Sequence, residues 1–141
     1  MKALIVSALF PVFLLAAGNA AKEPIQTFTV ERPTVLAFFP PVTDADLEKN
    51  PDTNEVLGDF QLYAARVGPP LKEAGIDFEV VSAVKFRVKN GAHVRTFRAG
   101  KIAIGYYFVA PGKEPHVQFG VMTDDEILEL ASKYFRIALK Q

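Results

Sequence analysis

The sequence predicts an α/β domain with a central mixed sheet of four to five strands and helices on both faces. Three observations carry this. Thr34–Phe39 and Ile102–Ala110 are apolar at successive positions, as strands covered on both faces must be. Between them, Val56, Phe60, Ala64, Val67, Leu71 and Ala74 recur at helical spacing and lead into the alternating run Ile76–Ser82, which makes a strand–helix–strand unit. After Ile102–Ala110, the turn Pro111-Gly112-Lys113 leads to the alternating His116–Phe119, and Thr123 with Glu126 then opens an amphipathic helix as a capping box.

The elements follow in order. Met1-Lys2, the apolar stretch Ala3–Ala17 and the small residues Gly18-Asn19-Ala20 form a secretory signal pattern, with cleavage expected after Ala20. The stretch is short of the roughly 20 residues that span a bilayer, so no membrane span is expected after cleavage. The expected location is periplasmic or secreted. Residues 21–33 form an N-terminal arm or an extra strand. Ile25–Val30 alternates, with Phe28 and Val30 on one side, and Glu31-Arg32-Pro33 breaks it too close to the next strand for the two to be parallel neighbours. An antiparallel edge addition or a loose arm is expected there.

The main domain is 34–141. Pro40-Pro41 closes its first strand, Thr43 and Asp46 cap a short helical turn, and Asp52 and Glu55 form a second capping-box pattern. Gly68-Pro69-Pro70 is expected to kink or break the helix that follows, and Gly75 suits its C-terminal end. In Ala83–Gly100, Val84, Phe86 and Val88 alternate with Lys85, Arg87 and Lys89 before Asn90-Gly91 turns the chain. A three-residue loop Asn90–Ala92 would set Val88 opposite Val94. A strict two-residue turn would pair Val88 with His93 instead. The two strands apolar on both faces belong at the sheet centre and the alternating ones at its edges. A right-handed crossover makes Ile76–Ser82 parallel to Thr34–Phe39. The expected order is Ile76–Ser82, Thr34–Phe39, Ile102–Ala110, His116–Phe119.

Composition excludes several functions. The 141 residues contain no cysteine, which rules out thiol nucleophiles, thiol redox chemistry, thiolate metal sites and a lipidated-cysteine anchor. There are 16 basic and 16 acidic residues; removing Lys2 with the signal leaves 15 against 16, a formal charge of −1. That balance argues against general nucleic-acid binding. No Ser-His-Asp order, Gly-rich phosphate loop or zinc motif is visible, and nothing calls for a cofactor. His93 and His116 are the only histidines and lack a second histidine at ligand spacing.

Two charged segments are the candidate sites. Asp44, Asp46, Glu48, Asp52 and Glu55 fall at positions 1, 3, 5, 9 and 12 of a calcium-loop spacing, with Asn50 at 7. Lys49 replaces the glycine such a loop needs, and Pro51 is foreign to it, so the same residues also fit two helix caps and a solvated loop. From Val80 to Lys113 there is no acid, while Lys85, Arg87, Lys89, Arg95, Arg98 and Lys101 are basic. Arg95, Arg98 and Lys101 are the candidate contacts to an acidic partner or to the protein's own acidic segment. A solvated strand face fits that pattern as well.

Over roughly Thr34–Tyr134, the sequence resembles the thioredoxin fold. TVLAFFP is similar to the strand entering that family's active site. The proline-containing helix is similar to its first helix, and IGYYFVAPGKEPHVQFG with the capped helix to its last hairpin and terminal helix. The resemblance stops short of the chemistry. The C-x-x-C places fall at Gln61 or Leu62 and at Ala64 or Ala65, and the family's cis-proline place falls near Ala103. The resemblance therefore implies a redox-inactive, non-catalytic domain binding a protein or peptide partner, through the emptied active-site face or the edge strand His116–Phe119. The alternative is a binder of a small ligand or ion, calcium or an anion. An enzyme built on Asp44, Asp46 or Asp59 would need a positioned base–nucleophile pair that the sequence does not display.

Overall fold

The structure is a computed structural model that describes residues 24–100 and 103–139. The signal segment 1–20, Lys101 and the first residue of the expected strand Ile102–Ala110 lie outside the described residues. The elements are β1 (Thr27–Thr29), β2 (Thr34–Phe39), α1 (Asp44–Lys49), α2 (Asp52–Glu73), β3 (Asp77–Ser82), β4 (Lys85–Asn90), β5 (His93–Arg98), β6 (Gly105–Val109), β7 (His116–Phe119) and α3 (Asp124–Phe135).

They form two mixed sheets. The four-stranded sheet runs β3-β2-β6-β7, with β3 parallel to β2 and the other pairs antiparallel, in the order expected from the sequence. The second sheet, β1-β4-β5, was not expected. It corrects the placement of helices on both faces. One face of the four-stranded sheet packs Val35, Ala37, Tyr106 and Phe108 against Phe60, Val67 and Leu71 of α2 and Ile127, Leu128 and Ala131 of α3. The other face packs Leu36, Phe38, Tyr107 and Val109 against Phe86, Val88 and Phe97 of the second sheet. Successive strand residues point to opposite faces, so Tyr106 and Tyr107 serve different layers. A doubly apolar strand requires both its faces to be covered, and a hairpin with one apolar face meets that requirement as well as a helix does.

β1 also departs from expectation. It pairs parallel with β4, Thr27 opposite Arg87 and Thr29 opposite Lys89. Because β1 and β2 enter different sheets, the short link between them imposes nothing on their relative direction. Val30 continues this edge by donating its N–H to the Lys89 carbonyl at 2.8 Å.

The β4–β5 hairpin has a two-residue loop, Gly91-Ala92, with Asn90 opposite His93 and Val88 opposite Arg95. Gly91 has φ 63° while Ala92 is not among the positive-φ residues, the pattern of a type II′ turn. Neither register considered from the sequence survives. The change matters because a one-residue slip turns every side chain of a strand over. Arg95 and Phe97 take the inward face, and Val94, Thr96 and Arg98 the outward one; Val94 is 55 % exposed. Phe97 lies 5.0 Å from Phe38 and 5.4 Å from Tyr107 between ring centroids.

The helix ends separate sound capping signals from a false one. Thr43 and Thr123 each cap their helix through Oγ1, which accepts from the Asp46 and Glu126 N–H groups at 3.2 and 3.3 Å. The reciprocal bonds from the Thr123 N–H and hydroxyl hold the Glu126 carboxylate below its ordinary titration range. The Asp52–Glu55 box does not form. Pro51 is the N-cap of α2 and has no side-chain cap, so Asp52 already lies inside the first turn. Carboxylates suit that place because the helix N-terminus is electropositive. Pro69-Pro70 does not break α2, which continues to Glu73. Gly75, at φ 81°, follows the C-cap Ala74. In β3 the buried residue is Val81, and Val80 is exposed. Among the described residues, no helix is long and apolar enough to cross a membrane.

Candidate functional site

Two clefts lie at opposite ends of the four-stranded sheet. The first is outside the carboxyl end of β2, where open α/β sheets hold their ligands. Pro40-Pro41 stops β2 and turns the chain across the end of the sheet. Thr43 starts α1, and α2 follows after Asn50 and Pro51. The groove has a volume of about 580 Å³. Pro40, Pro41, Val42, Val56, Leu57, Val84 and Ile104 make its apolar lining, and Asp46, Asn50 and Thr53 are the polar residues around it. Val56 is exposed. Among the described residues lining this groove, Asp46 is the one carboxylate, and it accepts hydrogen bonds from the Thr43 N–H at 3.0 Å and hydroxyl at 2.9 Å. The groove offers apolar contact and hydrogen bonding.

The calcium-loop spacing does not become a loop. Asp44, Asp46 and Glu48 lie on α1, and Asp52 and Glu55 on α2. Each residue along a helix turns about 100°, so residues two apart face nearly opposite ways. Asp46 therefore points away from Asp44 and Glu48, back to its cap. Among the described residues, no group of three or more His, Cys, Asp or Glu side chains is placed to hold a metal ion.

The basic candidates are also separated. Arg95 points to the inner face of β5, largely solvated, and pairs with Glu114 at 3.5 Å, and Arg98 is exposed on the opposite face, across from Lys85. They do not make one recognition surface. Lys101 lies outside the described residues.

Arg95 instead belongs to the second cleft, which the sequence did not reveal. It lies between the tip of the β4–β5 hairpin and the β6–β7 turn, with a volume of about 340 Å³. Asn90 ties the two together: its side-chain amide donates to the Ala110 carbonyl at 3.0 Å and its Oδ1 accepts from the Gly112 N–H at 3.4 Å. Tyr107 lines the cavity although only 2 % of its surface is exposed. Burial pushes its phenol above the ordinary range, and the neighbouring Arg95 guanidinium acts in the opposite direction. Lys113 donates to the Tyr134 carbonyl and lies 4.1 Å from that ring's centroid, and the Tyr134 hydroxyl donates to the Glu114 carbonyl at 2.6 Å. The turn is thus fixed to α3 on one side and to the hairpin on the other.

Comparisons with protein-family models, curated proteins and solved structures find no match to this chain.

Proposed function

We propose that this chain is an exported, non-catalytic domain of thioredoxin-like topology that binds an extended segment of a protein partner in the groove beyond β2. The observation that carries the reading is the groove's composition. Beyond the carboxyl end of β2 the wall includes Pro40, Pro41, Val42, Val56, Leu57 and Ile104, and the lining carboxylate is engaged in a cap. Apolar walls with a few polar groups select for shape and hydrogen bonding. An extended peptide supplies both, with apolar side chains for the wall and backbone groups for Asn50 and Thr53. The strand order β3-β2-β6-β7, with one parallel crossover and a final hairpin leading to a helix, supports the topology. The hairpin β4–β5 stands on the face where that resemblance leads to a helix.

The test is binding of the purified protein to an array of extended peptides, compared with Val56→Arg. An exposed substitution of this kind moves stability by no more than about 0.5 kcal/mol. Melting is therefore expected to be unchanged while peptide binding is lost. Retained binding in Val56→Arg would remove the groove from consideration. The export half of the proposal rests on the signal pattern, and mass spectrometry of the protein from its native source is expected to show a chain starting at Ala21.

A further inference from the structure

We propose that the cavity between the β4–β5 hairpin and the β6–β7 turn is a second binding site, for a small organic acid with an apolar body and one carboxylate. The cavity lies at the other end of the sheet from the peptide groove, and the inference does not depend on that groove.

The volume of about 340 Å³ lies within the range of small-molecule pockets. Val88, Val109 and Pro115 give it apolar walls suited to the body of such a molecule. The charged lining is Arg95 and Lys113 against Glu114, an excess of one positive charge, with His93 beside them. An anion fits that balance.

Arg95 is the anchor. Its guanidinium and the Glu114 carboxylate are 3.5 Å apart, longer than the roughly 2.7–2.9 Å of a strong charge-assisted bond. Both side chains are largely solvated, so the pair contributes little to stability. A ligand carboxylate that enters the cavity can replace Glu114 with two parallel bonds to the planar guanidinium, a geometry that arginine favours. Tyr107, buried beneath, lines the same cavity beside Arg95. The receiving frame is already built, because Asn90 fixes the hairpin tip to Ala110 and Gly112 and so little needs to be ordered on binding. Glu114 acts as an internal competitor that holds Arg95 in place until the acid arrives.

The experiment is calorimetric titration of the purified protein with octanoate and phenylacetate. Phenylacetamide, which has the same body without the charge, and inorganic phosphate, which has charge without a body, serve as controls. Binding of either acid with neither control binding supports the site. Arg95→Met is expected to weaken binding roughly tenfold to a hundredfold, the scale of a lost charge-assisted hydrogen bond. Glu114→Gln is the decisive variant: removing the competitor is expected to tighten binding several-fold while leaving melting unchanged. The proposal is overturned if neither acid binds, if phenylacetamide or phosphate binds as well as the acids, or if Glu114→Gln weakens binding. Equal affinity in Arg95→Met and the parent, with both folded, would also overturn it.

Discussion

Phe38→Ala is expected to lower the free energy of unfolding by about 3–5 kcal/mol, the usual cost of deleting a fully buried phenylalanine ring. Phe38 has no exposed surface and joins the two sheets. Its ring centroid is 5.9 Å from Phe86, 5.0 Å from Phe97 and 5.9 Å from Phe119, so its neighbours come from β4, β5 and β7 at once. The cavity left behind cannot close by movement of one side chain, because Phe86 and Phe97 are themselves held at 5.1 Å from each other and against Tyr107. Urea unfolding measures the loss. Amide exchange adds its location: β4 and β5 should lose protection with β2, since this aromatic cluster spans both sheets. A loss under 1 kcal/mol would mean that the sheets are joined in some other way.

Gly105→Ala is expected to cost about 1–3 kcal/mol by overpacking. A Cβ at this position would stand 2.5 Å from the Gln118 carbonyl oxygen and 2.9 Å from Cζ of Phe38. The first neighbour is backbone within the β6–β7 pair, where Gly105 faces Phe119 and Tyr106 faces Gln118. It cannot withdraw without opening the ladder. The second is the ring just described. Shortening that ring in Phe38→Leu relieves only one of the two clashes, so Gly105→Ala should remain destabilising in the Phe38→Leu background, as paired unfolding curves would show. Equal stability of Phe38→Leu with and without Gly105→Ala would show that the backbone contact yields freely.

These positions also show what the sequence could and could not disclose. The order of the four-stranded sheet was legible because only Thr34–Phe39 and the later run through Gly105–Val109 are apolar on both faces, which forces them to the middle. The composition of those strands did not specify the covering layer. The register of β5 was encoded in Phe97. Turning Val94 inward would also turn in Thr96 and Arg98, whereas the observed register packs a half-buried aromatic ring on the core and leaves Arg95 near the rim, where Glu114 meets it. A ring removes more apolar surface from water than a valine does, so Phe97 decides the strand's facing. The expected site residues scattered for the same local reasons. Arg95 and Arg98 are three apart on a strand and so lie on opposite faces, and the acids from Asp44 to Glu55 were drawn into two helices. The second cleft was not legible because it joins Asn90 and Arg95 to Ala110–Glu114 through hairpin geometry that no local pattern specifies.

An extended peptide lying in the groove beyond β2 would perturb the residues that line it. The most direct measurement is an NMR titration of isotopically labelled protein with the tightest-binding peptide from the array. Shifts are expected to concentrate at Val42, Asn50, Thr53, Val56, Leu57 and Ile104, with β7 and the second cleft unmoved. Shifts confined to the exposed edge at His116–Phe119, or to the outer edge of β3 around Val80, would contradict it and identify strand addition as the mode of binding.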